Sequence, residues 1–441
     1  MLERKITNQL EKWKSTKTKK CLLVQGARQV GKTYIVEQFG RENYEEMLEI
    51  NFKEHPDAAE IFSGDLSVDS LIMSIRFRFP NRKLSPGKTL IFFDEIQECE
   101  EAITSLKFWA LDGRYDVIAS GSMLGIDYKR ASSYPVGYVD HLQMYGLDFE
   151  EFLWARGIAK DMIMHVAEFF QKKQVIPEAI HNRMMQLFRE YLAIGGMPEV
   201  VQRFVDTSDY READRIQRNL LLGYRYDIAH YATAEEKVKA EKCYLSLTRQ
   251  LLDKENHKFQ YKEVEHGGRA QKYYSSMDWL LRADLIRMCR LVSDVRYELE
   301  DYAREDFFRA YTTDLSLLTA MRDFQLKQHI VENTLTGTTK GGLYECAIAD
   351  ILIKKSLPIF FYKDDTKGKE IDFLTQIHGE VVPLEVKSGN TRATSLKWLR
   401  KRNPEIRQMY KLIDGNVGES EDGIVTLPLY MAMYLGEQNE E

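Results

Sequence analysis

The sequence predicts an α/β chain with three parts. A parallel sheet wrapped by helices fills the first third, a long helical stretch follows, and a smaller α/β unit closes the chain. Three observations carry this. First, CLLVQ at 21–25 and TLIFF at 89–93 are short apolar runs, and the second is continuously apolar, as suits a parallel strand covered on both faces. Second, these runs, with further strands expected near 49–52 and 116–120, alternate with helical patterns, which is the arrangement that builds a parallel sheet. Third, a helix reading LYECAIADILIKK is followed by three closely spaced strand patterns, PIFFYKD, EIDFLTQI and EVVPLEVK.

Size and composition bound the function. At 441 residues the chain is long for one hydrophobic core, so two or three domains are expected. With 44% apolar and 29% charged residues it falls among globular proteins rather than disordered ones. A net charge of -6 argues against coating nucleic acid wholesale and leaves room for a local basic face. Cys21, Cys99, Cys243, Cys289 and Cys346 are scattered and form no C-x-x-C pair, so they read as thiols in a reducing compartment, not as a zinc site. The N-terminal stretch MLERKITNQLEKWKSTKTKK is charged throughout, unlike a signal peptide. No apolar run approaches the roughly 18–20 residues of a membrane span. The expected location is the cytoplasm, without membrane contact.

The first strand runs into Gly26, Ala27, Arg28, Gln29, Val30, Gly31, Lys32 and Thr33, which fit G-x-x-x-x-G-K-[ST] and open a helix. Glycines let backbone N–H groups face phosphate oxygens without a side chain between them. The following helix adds its positive end. Lys32 is placed to reach the β- and γ-phosphates of ATP, and the Thr33 hydroxyl to ligate Mg²⁺. The 89–93 strand ends in Asp94 and Glu95. Asp94 suits Mg²⁺ through water, and Glu95 suits polarising the attacking water as the catalytic carboxylate. The 116–120 strand ends at Ser120 and Ser122, hydroxyls suited to sensing the γ-phosphate; an ordinary Gly-Ser turn explains them equally.

Between about 148 and 230 the pattern is helical, with DFEEFLWARG and RMMQLFREYLAI, the second stopping at Gly195-Gly196. Short helical patterns from 235 lead into LIRMCRLV, a strand or wing. Here a helix opening after Gly267-Gly268 would bury Met277, Leu280 and Leu281 and expose Arg269, Gln271, Lys272 and Ser275, as a groove-reading helix or a protein-contact module would.

The last unit holds a second constellation. Asp372 in EIDFL precedes Glu385 and Lys387 in EVK by a hairpin's spacing, and Glu385 and Lys387 share a strand face. Asp372 and Glu385 would hold a divalent metal ion, with Glu345 on the preceding helix as a third carboxylate, while Lys387 activates a water against a phosphodiester. A charged wet face on an ordinary hairpin is the alternative. From Lys387 to Lys411 there are eight basic residues around Trp398, interrupted only by Glu405, a pattern that suits phosphate neutralisation or a solvated basic face.

GARQVGKT, the strand into DEIQ, IASGS, SYPVGYVDHLQMYGLDFEEFL, AIGGMPEVV, YECAIADILIK, KEIDFL and PLEVKSG together resemble a family of bacterial and archaeal AAA+-type ATPases with a C-terminal domain of unknown function. The resemblance spans nearly the whole chain. It implies a P-loop ATPase core over residues 1–147, a helical lid over 148–234, a winged-helix-like domain over 235–325 and a restriction-endonuclease-like domain over 326–441. The acid, then acid-x-lysine order of Asp372, Glu385 and Lys387 resembles the PD-(D/E)XK nuclease pattern. The family tends to carry a basic residue where this chain has Tyr138, after Gly137; Lys129 and Arg130 are the substitutes nearby. AAA+ resemblance also implies a homo-oligomer in which a neighbouring arginine completes the site. Two functions remain: an ATP-switched protein acting on DNA through a nuclease-like domain, or an ATP-dependent signalling or regulatory scaffold whose last domain binds a partner without cleavage.

Overall fold

A computed structural model describes residues 2–16, 19–121, 135–232, 236–253, 258–389, 391–419 and 422–437. Ser122, Lys129 and Arg130 lie outside these residues. Contacts divide the chain into two compact units: residues 4–145 with 282–284, and the remainder.

The first unit begins with α1 (Ile6–Ser15) and then alternates strand and helix as far as β4: β1 (Cys21–Gln25), α2 (Lys32–Asn43), β2 (Glu46–Asn51), α3 (Val68–Arg78), β3 (Thr89–Asp94), α4 (Glu100–Asp112) and β4 (Asp116–Gly121), with β5 (Val139–Gln143) following. All five strands are parallel, in the order β2-β3-β4-β1-β5. β4 therefore separates the P-loop strand β1 from β3, which carries Asp94. Four strands match the sequence expectation to within a few residues. β5 was not expected, because VDHLQ is mostly polar and only Val139 is buried. On one face Phe52, Phe62, Phe93 and Trp109 form an edge-to-face chain with centroids 5.4–6.1 Å apart within a larger aliphatic core. That packing fixes the ends of β2 and β3, where the functional side chains emerge.

The second unit opens with α5 (Phe149–Ala155), α6 (Lys160–Lys172), α7 (Glu178–Ile194), α8 (Pro198–Thr207), α9 (Tyr210–Tyr231), α10 (Lys237–Leu252) and α11 (Ala270–Arg282). α5 starts in a capping box: Asp148 accepts from Glu151 N at 2.8 Å, and Glu151 accepts from Asp148 N at 3.1 Å. α7 stops at Gly195, whose φ of 73° is open to glycine and costly for others. Then follow β6 (Ile286–Val292), β7 (Ala303–Thr312), α12 (Leu315–Ala320), α13 (Phe324–Val331), α14 (Gly337–Lys354), β8 (Phe360–Asp364), β9 (Lys369–Ile377), β10 (Glu380–Lys387), α15 (Thr394–Arg402), β11 (Tyr410–Ile413), β12 (Gly418–Glu419) and β13 (Val425–Pro428).

These strands make one mixed sheet in the order β12-β13-β11-β10-β9-β8-β6-β7. Here the structure departs from the expected organisation. LIRMCRLV is a strand, but it is no wing of a separate middle module. β6 pairs in parallel with β8, Leu291 beside Phe361, and so extends the C-terminal sheet. The physical reason is β8, which needs a partner on each side; β9 covers one and β6 the other.

The GGMP and YECAIADILIK motifs meet in a buried ion network. Lys354 Nζ contacts Asp314 Oδ2 at 2.7 Å, Asp350 Oδ2 at 3.0 Å, Tyr191 OH at 2.9 Å and Leu147 O at 3.1 Å. Gly196 N donates to Asp314, and a Cβ on Gly196 would lie 2.1 Å from Leu147 O. Among the described residues no helix is long and apolar enough to cross a membrane, and all five cysteines are buried and unpaired with one another.

Candidate nucleotide site and carboxylate cluster

The loop between β1 and α2 takes its shape from two glycines. Gly26 has φ 156° and lies so close to the β5 exit that a Cβ would sit 2.1 Å from Met144 O. Gly31 has φ 95° and caps α2 in the left-handed region. Gln29, at φ 62°, adopts the same region without being glycine. Val30 is held from behind: Arg4 donates to Val30 O at 3.2 Å and to Tyr145 O at 2.7 Å. Lys32, 7% exposed, turns back into the loop and donates to Gly26 O at 3.0 Å and Ala27 O at 2.9 Å. Burial lowers its pKa, while the charges of Glu95 and Asp94 oppose that shift. Arg28 adds a further positive charge beside it.

Asp94 is the hub. Its Oδ2 accepts from Thr33 Oγ1 at 2.9 Å and from Asn51 Nδ2 at 2.9 Å, and its Oδ1 accepts from Ser120 Oγ. Burial raises its pKa, and the hydroxyls of Ser120 and Thr33 hold that rise back. Thr33 and Asp94, already paired, are the chemically apt set for Mg²⁺: one neutral hydroxyl and one carboxylate at the same point. Glu95 stands at φ 50°, a position costing about 1–3 kcal/mol for a non-glycine residue. Its carboxylate accepts from Gln97 Nε2.

The structure thus brings Lys32, Thr33, Asp94, Glu95 and Ser120 together at the C-terminal ends of β1, β3 and β4, where ligands of such sheets bind. Sequence reasoning missed four residues here. Asn51 ends β2 and could be found only from the parallel register that puts it beside Asp94. Gln97 was visible in DEIQ as a third polar residue. Arg4 and Asp284, whose charge acts on Lys32, come from distant segments and left no local signal. Tyr138 immediately precedes β5, where its carbonyl accepts from Cys21 N at 3.2 Å, at the end of β1 away from the P-loop; Lys107 Nζ lies 5.6 Å from its ring centroid.

In the second unit, Leu384 pairs with Phe373, so the next residues, Glu385 and Asp372, fall opposite each other. Val386 N donates to Asp372 Oδ2 at 2.8 Å. Lys387 Nζ reaches Glu385 Oε1 at 3.0 Å. Glu385 is 2% exposed, and its Oε2 is buried without a hydrogen-bond partner. Burial pushes Asp372 up to about 7, with the Glu345 charge next in size and Lys387 and Arg309 opposing. Burial works against Lys387 carrying charge, yet the carboxylates of Asp372 and Glu385 hold its pKa above the ordinary lysine value.

Glu345 lies beside the pair, its charge being the largest acting on Asp372. Its carboxylate faces Arg309 Nη1 at 3.3 Å, and Arg309, itself 2% exposed, also binds Asp372 O at 3.2 Å and the Glu370 carboxylate. Among the described residues no three His, Cys, Asp or Glu side chains form a metal cage. In this arrangement the buried guanidinium of Arg309 is the partner of Glu345. Sequence reasoning missed Arg309, which sits in an otherwise unremarked strand.

Residues 18–153 match the family model of an AAA domain, and residues 185–328 and 340–431 match two domains of unknown function, DUF8612 and DUF4143. No curated protein gives a significant match. Among solved structures, a Walker-type ATPase of Pyrococcus abyssi is 13% identical with a TM-score of 0.43, over 73% of this chain and 96% of that one. The Orc1 protein of Aeropyrum pernix in complex with DNA is 12% identical with a TM-score of 0.29, over 75% and 93%. DnaA of Aquifex aeolicus bound to AMPPCP is 12% identical with a TM-score of 0.28, over 63% and 86%. Superpositions this loose carry no functional information. The AAA match and the site geometry identify an AAA-type P-loop ATPase domain, and the chain is an ATP-binding protein and ATP hydrolase.

Proposed function

We propose that this chain couples an ATP-driven switch to nucleic acid through its C-terminal carboxylate–lysine cluster. In the first unit the backbone N–H groups of residues 26–33 cradle the phosphates, and Lys32 moves from its carbonyl partners onto the β- and γ-oxygens. Thr33 and Asp94 hold Mg²⁺, which neutralises phosphate charge. Asn51 and Ser120 fix the Asp94 carboxylate. Glu95 orients the attacking water, and Ser120, hydrogen-bonded to the Asp94 carboxylate, reports the occupied state. A neighbouring copy that supplies an arginine would complete this site.

In the second unit Asp372 and Glu385 hold a divalent cation between neighbouring strands, with Lys387 orienting a water toward a phosphodiester. One observation supports this most: Glu385 Oε2 is buried and unpartnered. A buried carboxylate oxygen left unsatisfied costs about 1–3 kcal/mol or more, and a cation removes that cost. A divalent ion also fits Asp372, whose carboxyl is otherwise driven toward the protonated form. The absence of a three-ligand cage among the described residues favours a second reading, in which the domain binds nucleic acid without cutting it.

The test is cleavage of supercoiled plasmid and single-stranded DNA with Mg²⁺ or Mn²⁺, with and without ATP. Products that vanish in Asp372→Ala and Lys387→Ala, while ATP hydrolysis continues, support cutting. Binding without products in every protein supports the second reading. Neither binding nor cutting removes nucleic acid from the proposal.

A further inference from the structure

The basic run between Lys387 and Lys411 is sorted by the fold into two groups. Four of its eight cations pair away from the cavity lined by Arg392, Lys397 and Lys411, and Lys401 is exposed. Lys387 pairs with Glu385, and Arg400 donates to Ile406 O at 2.8 Å and Gly423 O at 3.3 Å. Arg402 binds the Tyr362 hydroxyl and Asp294, and Arg407 pairs with Glu380 at 3.1 Å. Three others, Arg392, Lys397 and Lys411, converge on one cavity of about 170 Å³. The Thr391 and Thr426 side chains complete its polar lining. At ~30 Å³ per water, it has room for a tetrahedral oxyanion and its hydration.

The cavity's position follows from strand register. Glu385 on β10 lies beside Lys411 on β11, and Lys411 lies beside Thr426 on β13. Laterally paired residues share a sheet face, and neighbouring strands lie about 4.8 Å apart. A single row therefore runs from carboxylate to cation to hydroxyl, and the cavity begins one to two strands, roughly 5–10 Å, from Glu385. Lys411 is 9% exposed. It donates to Thr391 O at 3.3 Å and feels the Glu385 charge. Lys397 is held by Asp422 at 2.5 Å. Two acids thus face three cations, and an incoming phosphate competes with Asp422 for Lys397.

Resting on the proposed nucleic-acid reading, we infer that this cavity is a phosphate subsite. It holds a backbone phosphate of the same strand whose neighbouring phosphodiester lies over Asp372 and Glu385. The subsite fixes the strand's register across the carboxylate cluster and gives the domain its grip in the absence of a divalent ion.

The experiment measures fluorescence anisotropy of a fluorescein-labelled single-stranded oligonucleotide with the full chain in EDTA, across a salt titration. Arg392→Gln and Lys411→Met are expected to weaken binding roughly threefold to tenfold each. Each should also flatten the log K against log salt slope by about 0.7, the share of one phosphate on a single strand. Lys401→Gln, an exposed cation outside the cavity, should leave both quantities unchanged. Arg392 is itself exposed, so its substitution tests the subsite even if Lys411→Met fails to fold. If the wild type binds and both cavity variants bind equally well with the same slope, the subsite is wrong while the nucleic-acid reading stands. If the wild type does not bind the oligonucleotide at all, both fall. Inorganic phosphate at matched ionic strength separates a free-ion site. Phosphate that binds in a direct titration and is lost in Arg392→Gln, while oligonucleotide affinity is the same with and without it, points to a free ion and overturns the strand assignment.

Discussion

Lys354→Met should destabilise the second unit severely. Lys354 is 1% exposed and faces two carboxylates that are 3% and 2% exposed, Asp314 and Asp350. Removing the cation while keeping its length leaves both acids buried without a counter-charge. Breaking a buried pair this way costs about 3–5 kcal/mol. Loss of the hydrogen bonds to Leu147 O and the Tyr191 hydroxyl lies within that range rather than adding to it. For a unit of this size the melting temperature should fall on the order of 10 °C. The deficit should also depend on pH with a defined sign. Burial raises Asp350 to about 6, with Lys354 holding the rise back. A raised folded-state value favours the protonated acid in the fold, so that contribution is present below about 4 and is lost as pH rises through about 6. Without Lys354 the value climbs further. The variant should therefore lose more stability at pH 8 than at pH 5. Thermal melts followed by circular dichroism at the two pH values read this directly. A melt within a degree or two of wild type at pH 8 would refute the reasoning, as would a larger deficit at pH 5.

Three further outcomes are expected. Asn51→Leu removes one of two donors from Asp94 Oδ2; a hydrogen bond to a charged group contributes about 1.5–3 kcal/mol. Steady-state kinetics should show kcat lower by roughly tenfold or more and ATP affinity nearly unchanged. Arg4→Ala should loosen the P-loop through Val30, so equilibrium titration with a fluorescent ATP analogue should show weaker binding by a few fold, not its loss. Protons and a divalent ion compete for Asp372, whose value sits near 7. Mn²⁺ affinity, read by calorimetry with the P-loop blocked by Lys32→Ala, should rise between pH 6 and pH 8, and Asp372→Asn should abolish that rise.

What was legible in the sequence divides along physical lines. Gly26 to Thr33, Asp94 and Glu95 were readable because their chemistry is local: a tight glycine loop and a strand end specify themselves over a few residues. The hairpin that sets Asp372 against Glu385 was readable for the same reason, since period-two burial around Ile371, Phe373, Leu384 and Val386 fixes its faces. Asn51, Arg4 and Asp284 were not readable, because only parallel register and chain return bring them to the P-loop. The contact of Glu345 with Arg309, 36 residues earlier, was not readable either, because no spacing rule links a strand guanidinium to a helix carboxylate. LIRMCRLV was readable as a strand or wing and β7 was not readable at all; an apolar run states that it will be covered and not by which partner.

Single-turnover hydrolysis paired with nucleotide binding, in Glu95→Gln beside Lys32→Ala, tests most directly whether this chain uses ATP as its site geometry indicates. Glu95→Gln keeps the phosphate cradle and the paired Thr33 and Asp94, and removes only the group that orients water. It should bind ATP with wild-type affinity and hydrolyse it at least a hundredfold more slowly. Lys32→Ala should lose binding itself while remaining folded. Normal turnover in Glu95→Gln, or unchanged ATP affinity in Lys32→Ala, would contradict the assignment.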